Sequence, residues 1–155
     1  MKKLTPFLIS GLLLLGTAAC QQAEKTTQSA PDNPAQNVQA PSVEETQAAQ
    51  KDAQSQVRRD QLNSDIRSRE QRNNTTGGDT QRAEGDLESE VRSKLEANIP
   101  NGQLTVAAEK NGTVTVGGTV NNQDQLAKID PLARQIKGVK NVVVKAKVAP
   151  PTSNR

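Results

Sequence analysis

The absence of aromatic side chains after Phe7 is the feature that most constrains how this chain can fold. A core without rings must be built from Val, Leu, Ile and Ala. These residues are concentrated in a short run before Cys20 and in the stretch after about residue 84. The chain between them has too few apolar side chains to offset the entropy lost on ordering. We therefore expect one small folded unit of modest stability, preceded by a long polar segment.

The amino terminus has the layout of a bacterial export signal. Lys2 and Lys3 form a positively charged start, residues 7–15 form a short apolar run, and small residues lead up to Cys20. The apolar run is well short of the ~20 residues that a membrane-spanning helix needs. We expect residues 1–19 to be removed as a signal peptide.

Cys20 and the small residues before it resemble the lipobox of bacterial lipoproteins, although Thr17 departs from the Leu that is usual at that place. The resemblance implies cleavage before Cys20, a diacylglycerol on its thiol, and a further acyl chain such as palmitate on its amino group. Two or three acyl chains hold a protein stably to a membrane. Gln21, where Asp would resemble an inner-membrane signal, favours a periplasm-facing outer-membrane location. In the alternative, ordinary cleavage leaves Cys20 as a free or mixed-disulfide thiol.

The polar region divides into two segments. Residues 20–41 contain three prolines and one sizeable apolar side chain, Val38, which is the composition of a disordered tether. Residues 42–78 form a linker whose first part, 42–72, lacks Pro and Gly and permits helix. The apolar residues of 42–72 do not form one stripe, so a solvated spacer is favoured over a coiled-coil or partner-docking role.

From about residue 84 the apolar spacing becomes that of a folded domain. Leu87, Val91 and Leu95 recur every four residues, which predicts an amphipathic helix, and later residues alternate as strands do. The predicted elements are a helix that ends near Asn98, strands over 104–109 and 113–120, a helix from Asn122 to before Gly138, and a strand over 142–148. We expect Pro131 to bend or split the second helix.

The order helix-strand-strand-helix-strand predicts an α+β fold over residues 84–149, followed by a tail over 150–155. We expect a small two-layer domain in which both helices cover one face of a three-stranded mixed sheet.

The register of the first two strands determines the turn between them. A two-residue loop of Asn111 and Gly112 would place the two apolar rows on opposite faces of the hairpin. A three-residue loop over 110–112 pairs Val106 with Val116 and keeps both rows on one face. The pattern therefore predicts a type I turn followed by a bulge, with Gly112 in the left-handed region.

Two further groups in this unit are interpreted as structural. Asp86, Glu88 and Glu90 lie in the first turns of the first helix, where negative charge suits the helix dipole. Gly117 and Gly118 lack the Lys-Ser/Thr pair of a phosphate-binding loop, which favours a close-packed strand end.

The hairpin glycine, the valine-alternating strand and the late Gly-Val pair together resemble the BON domain, named after bacterial osmotically inducible and nodulation proteins. The residues that carry the resemblance are Asn111, Gly112, Val114, Val116, Gly118, Gly138 and Val139. The resemblance implies a periplasmic or outer-membrane module without catalytic residues that binds phospholipid or other envelope components. Some relatives bind a monovalent cation or attach to other envelope proteins.

The residue types exclude most catalytic chemistry. The chain has no His and one Cys, so it cannot supply a soft metal site, a Cys/His pair or a Ser/His/Asp triad. Carboxylate-only catalysis needs a dry, substrate-binding cleft, which no pattern here predicts. We expect a protein that is not an enzyme and needs no metal or cofactor. Nucleic acid is not an expected partner either, since no ring after Phe7 can stack on a base.

Basic residues dominate the end of the chain, where six lie between Pro131 and Arg155 without an acidic one. The candidate residues for binding an anionic surface are Arg134, Lys137, Lys140, Lys145 and Lys147. In the alternative interpretation, the strand lysines only keep a sheet edge from aggregating. We predict a lipid-anchored envelope module that binds phospholipid and supports envelope integrity or osmotic stress tolerance. The other hypothesis is an adaptor that binds another envelope protein or peptidoglycan.

Overall fold

The computed structural model of the chain describes residues 23–76 and 83–153. The predicted signal peptide and Cys20 lie outside the described residues. The helices are α1 (Val43–Ala53), α2 (Gln56–Thr76), α3 (Glu84–Asn98) and α4 (Gln123–Arg134). The strands are β1 (Glu24–Lys25), β2 (Gln103–Ala108), β3 (Thr113–Val120), β4 (Asn141–Val144) and β5 (Lys147–Val148). The predicted α+β class is confirmed.

The strands form one mixed sheet with the order β1-β2-β3-β4, in which β5 also pairs with β3. β1 and β3 are antiparallel to β2, whereas β4 and β5 are parallel to β3. The sheet has five strands rather than three because β1 adds to one edge and the predicted third strand is interrupted. The interruption at residues 145–146 lies opposite Gly117 and Gly118, the latter with a φ of +107°.

The hairpin between β2 and β3 has the predicted register and turn. Val106 pairs with Val116, and the N–H of Gly112 donates to the carbonyl oxygen of Glu109 over 2.8 Å. Gly112 has a φ of +82°, in the left-handed region. Both apolar rows consequently face the same side of the sheet, which we call the inner face.

α3 and α4 pack on the inner face and close a purely aliphatic core. Leu95, Val116 and Ile129 are fully buried there. α4 begins where the side chain of Asn122 accepts a hydrogen bond from the N–H of Gln125. The predicted split at Pro131 is wrong, since α4 continues through Pro131 and ends three residues later. Because Pro131 has no N–H, α4 loses one hydrogen bond near its end. Ile129 before Pro131 and Ala133 after it are both buried in the core, which keeps the helix continuous.

Residues 24–37 pack against this domain, although their composition predicted a disordered tether. β1 pairs with β2, and the chain then crosses the outer face of the sheet. We call residues 24–37 the strap. It is held by hydrogen bonds and by the burial of small apolar side chains, neither of which forms a periodic apolar pattern in the sequence.

α1 and α2 occupy the linker for which composition permitted helix. α1 begins with a capping box, in which Ser42 and Glu45 each accept a hydrogen bond from the other's backbone N–H. The tail supports this start, because the N–H of Thr152 donates to the carbonyl oxygen of Pro41 over 2.9 Å. None of the described helices is long and apolar enough to cross a membrane.

We predict that Gly112→Ala lowers the free energy of unfolding by about 1–3 kcal/mol, because alanine is strained at a positive φ. The added Cβ would also lie 2.6 Å from the carbonyl oxygen of Gly138. Thermal and urea unfolding monitored by circular dichroism measure the change. Gly85→Ala is the matched control, since its Cβ would contact nothing within 4 Å. Equal stability of the two variants would contradict the assigned turn.

Candidate functional site

The outermost strand on one side of the sheet carries exposed apolar and basic side chains together. β4 ends the strand order, and β5 continues along the same partner strand. Val143, Val144 and Val148 are 38–40% exposed, and Lys145 and Lys147 beside them are exposed as well. We call residues 140–148 the basic edge.

The family-like glycines position the beginning of this edge. The carbonyl oxygen of Gly112 accepts a hydrogen bond from the N–H of Lys140 over 2.8 Å, which ties the β2–β3 turn to the start of β4. Gly138 has a φ of +99°, and Val139 after it packs against the core. Asn111 stabilises the same turn, because its Oδ1 accepts from the N–H of Thr113. The motif residues described here thus build the surface rather than bind through it.

The five predicted basic residues all lie on or beside the basic edge, and all are exposed. Arg134 is in an ion pair, with its Nε 2.8 Å from Asp130 Oδ2. The hydrogen bond to Asp130 raises the pKa of Arg134 above its ordinary value. Lys147 also has a partner, since its Nζ donates to Oδ1 of Asn37 in the strap over 3.0 Å. Lys140 and Lys145 are therefore the best placed for contact with an external anion.

A second charged group, which the sequence did not reveal, joins α2 to α3. Arg58 makes a two-point contact with Glu96, at 2.5 Å from Nε and 2.9 Å from Nη2. Arg92 lies 3.1 Å from Glu96, 3.3 Å from Asp65 and 3.3 Å from Glu24 of β1. We call these five residues the ion-pair network. It connects the strap, α2 and α3, and Glu96 at its centre is 2% exposed.

The acidic residues of α3 are more buried than a helix-dipole role requires. Glu88 is 5% exposed, and its Oε1 accepts a hydrogen bond from the N–H of Ala108 over 2.9 Å. Burial raises the pKa of the Glu88 carboxyl, the hydrogen bond from Ala108 opposes that rise, and Glu24 and Glu84 add to it.

An open cleft of about 560 Å³ lies between the strap and the α1–α2 region. Charged side chains of both signs line it, including Lys25, Asp32, Asp52 and Arg58. Lys25 and Asp32 pair at 2.9 Å. Within the described ranges, no three His, Cys, Asp or Glu side chains are placed to hold a metal ion.

We predict that Glu96→Gln lowers the free energy of unfolding by about 2 kcal/mol, because it removes the charge that pairs with two partly buried arginines. Thermal and urea unfolding measure this loss. Asp130→Asn breaks the exposed pair with Arg134 and is the matched control. Its loss should be much smaller, because solvent screens exposed pairs. A loss as small for Glu96→Gln would contradict the buried pairing of Glu96 with Arg58 and Arg92.

We also predict a pH dependence from Glu88. Its pKa is higher in the folded than in the unfolded chain, so the folded chain binds more protons between the two values. The contribution of Glu88 to stability therefore falls as the pH rises through this interval. Glu88→Gln retains an acceptor for Ala108 and should raise the melting temperature at neutral pH. Glu109→Gln, at an exposed position, is the control. An unchanged difference between variant and wild type from pH 4 to pH 8 would contradict the assignment.

Comparison with known proteins gives a family but no individual relative. No curated protein and no solved structure matches the chain. The family model of the BON domain matches residues 83–150, which agrees to within one residue at each end with the unit predicted from apolar spacing. The matched range contains α3, the β2–β3 hairpin, α4 and the basic edge. Residues 83–150 of the chain therefore form a BON domain.

Proposed function

We propose that this chain is an envelope-associated binding protein whose BON domain binds anionic phospholipid through the basic edge. The observation that carries the proposal is the presence of exposed valines and exposed lysines together within the basic edge, residues 140–148. A lysine near an anionic membrane surface contributes about 1 kcal/mol. Valines beside it can enter the boundary between headgroups and acyl chains. The role is binding rather than catalysis.

A lipid anchor at Cys20 completes the proposal. The amino-terminal pattern supports export, and the residues before Cys20 support acylation. Gln21 supports the outer membrane as the anchoring membrane. An anchored domain would need only weak intrinsic affinity for lipid, because the anchor keeps it close to the surface. In this role the protein supports envelope integrity under osmotic stress.

Vesicle co-sedimentation tests the lipid site without the anchor. The chain from residue 20 with Cys20→Ser retains every described residue and lacks acyl chains. It is mixed with vesicles of phosphatidylcholine alone or with phosphatidylglycerol, at low and moderate NaCl. We expect binding to the phosphatidylglycerol vesicles only, and weaker binding at the higher salt concentration, because salt screens the attraction.

The double variant Lys140→Gln/Lys145→Gln should weaken vesicle binding roughly ten- to thirtyfold, since two charges of about 1 kcal/mol each are lost. The matched control is Arg59→Gln/Arg67→Gln, which makes the same charge change at exposed positions of α2. Equal weakening by both pairs would contradict a localised site. Failure of the unsubstituted chain to bind either vesicle would leave the adaptor role as the better hypothesis.

A further inference from the structure

The strap packs directly against Gly117 of β3, where the strand conformation does not require a glycine. Gly117 pairs with Thr105 in the β2–β3 ladder, and its φ is not in the positive range that favours glycine. A Cβ at Gly117 would overlap the carbonyl oxygen and Cα of Pro34. Gly118, by contrast, has a φ of +107° and is required by the backbone of β3. The lack of a side chain at Gly117 therefore allows the main chain of the strap to lie close to β3.

Hydrogen bonds hold the strap on both sides of Gly117. At one end, the N–H of Thr26 donates to Leu104 O over 2.9 Å, and Thr26 Oγ1 accepts from the N–H of Leu104 over 2.9 Å. In the middle, the hydroxyl of Thr105 donates to the carbonyl oxygen of Pro31. At the other end, Asn37 accepts from Lys147. Each such bond contributes about 0.5–1.5 kcal/mol net, because water replaces it on release.

Docking of the strap also has an unfavourable component. Successive side chains of β2 alternate, and Leu104 is in the core, so Gln103 and Thr105 point to the outer face. Gln103 is 5% exposed, and its Nε2 has no hydrogen-bond partner among the residues that the structure describes. A buried donor without a partner costs about 1–3 kcal/mol, which offsets part of what the hydrogen bonds contribute.

The core of the BON domain does not depend on the strap. Every side chain of the aliphatic cluster belongs to residues 87–146, on the inner face. The buried apolar side chains of the strap are small, namely Ala30, Pro31 and Pro34. Release of the strap would thus expose these three side chains and the polar outer face, and leave the core closed.

We propose that the strap is a releasable cover, and that the outer face beneath it is a docking surface for an extended polypeptide segment whose resident occupant is residues 24–37 of the same chain. The polar face offers hydroxyl donors to backbone carbonyls, and Gly117 admits a main chain at close approach. Opening of the strap occurs without unfolding of the domain.

Limited trypsin digestion followed by mass spectrometry tests the proposal on the chain from residue 20 with Cys20→Ser. Cleavage after Lys25 needs the strap open, since Thr26 is 5% exposed. Cleavage after Lys128 needs α4 open, since Ile129 is in the core. When opening is fast relative to cleavage, each rate reports the open population.

Gly117→Ala should accelerate cleavage after Lys25 by tenfold or more and leave cleavage after Lys128 within about twofold of wild type, as local opening requires. Gly85→Ala is the matched control and should change neither rate. Thr26→Val, which removes the hydroxyl from the strap itself, should reproduce the selective acceleration. An unchanged rate of cleavage after Lys25 in Gly117→Ala would show that docking of the strap does not depend on Gly117. Equal acceleration at Lys25 and Lys128 in both variants would overturn the independence of the strap.

Discussion

The pairing of β2 with β3 is the interaction on which the rest of the structure depends. With Val106 opposite Val116, the apolar side chains of the hairpin other than Ala107 face α3 and α4, and the polar ones face outwards. A shift by one residue would exchange the two faces and remove the core. The Gly112 turn that sets this register also accepts the hydrogen bond that starts β4. One turn therefore determines the core, the polar outer face and the position of the basic edge.

Outside the aliphatic core, ion pairs are the main described contacts that hold α2 against α3. α2 has almost no apolar stripe, and it is held against α3 by the ion-pair network around Glu96 and Arg92. Such contacts are specific in geometry but contribute little net free energy, because the same groups are well solvated when apart. The molecule thus combines a closed aliphatic core with more weakly attached surroundings.

The sequence predicted those parts of the fold that leave a periodic apolar pattern. Leu87, Val91 and Leu95 defined α3, and the alternating valines with Gly112 defined the hairpin and its turn. The strap and the network left no such pattern. The contact between Thr105 and Pro31 joins residues 74 positions apart through a hydroxyl and a carbonyl.

The sequence predicted which basic residues form the candidate site, but not all of their contacts. The five basic residues do lie around one sheet edge, since a strand and its preceding loop are close in space. Asp130 beside Arg134 and Asn37 beside Lys147 change what two of them can contact. The first partner is four residues away on a helix and could have been anticipated. The second is 110 residues away and could not.

The position of β1 fixes the length of chain between residue 20 and the domain. Glu24 is four positions after Cys20, and a fully extended chain of that length spans at most ~14 Å. With residues 24–76 unattached, the roughly 60 residues before the domain would instead reach about 40–45 Å as a flexible coil. In a chain anchored at Cys20 as we propose, the docked strap would hold the nearest part of the domain within this shorter distance of the membrane, and release of the strap would extend the distance.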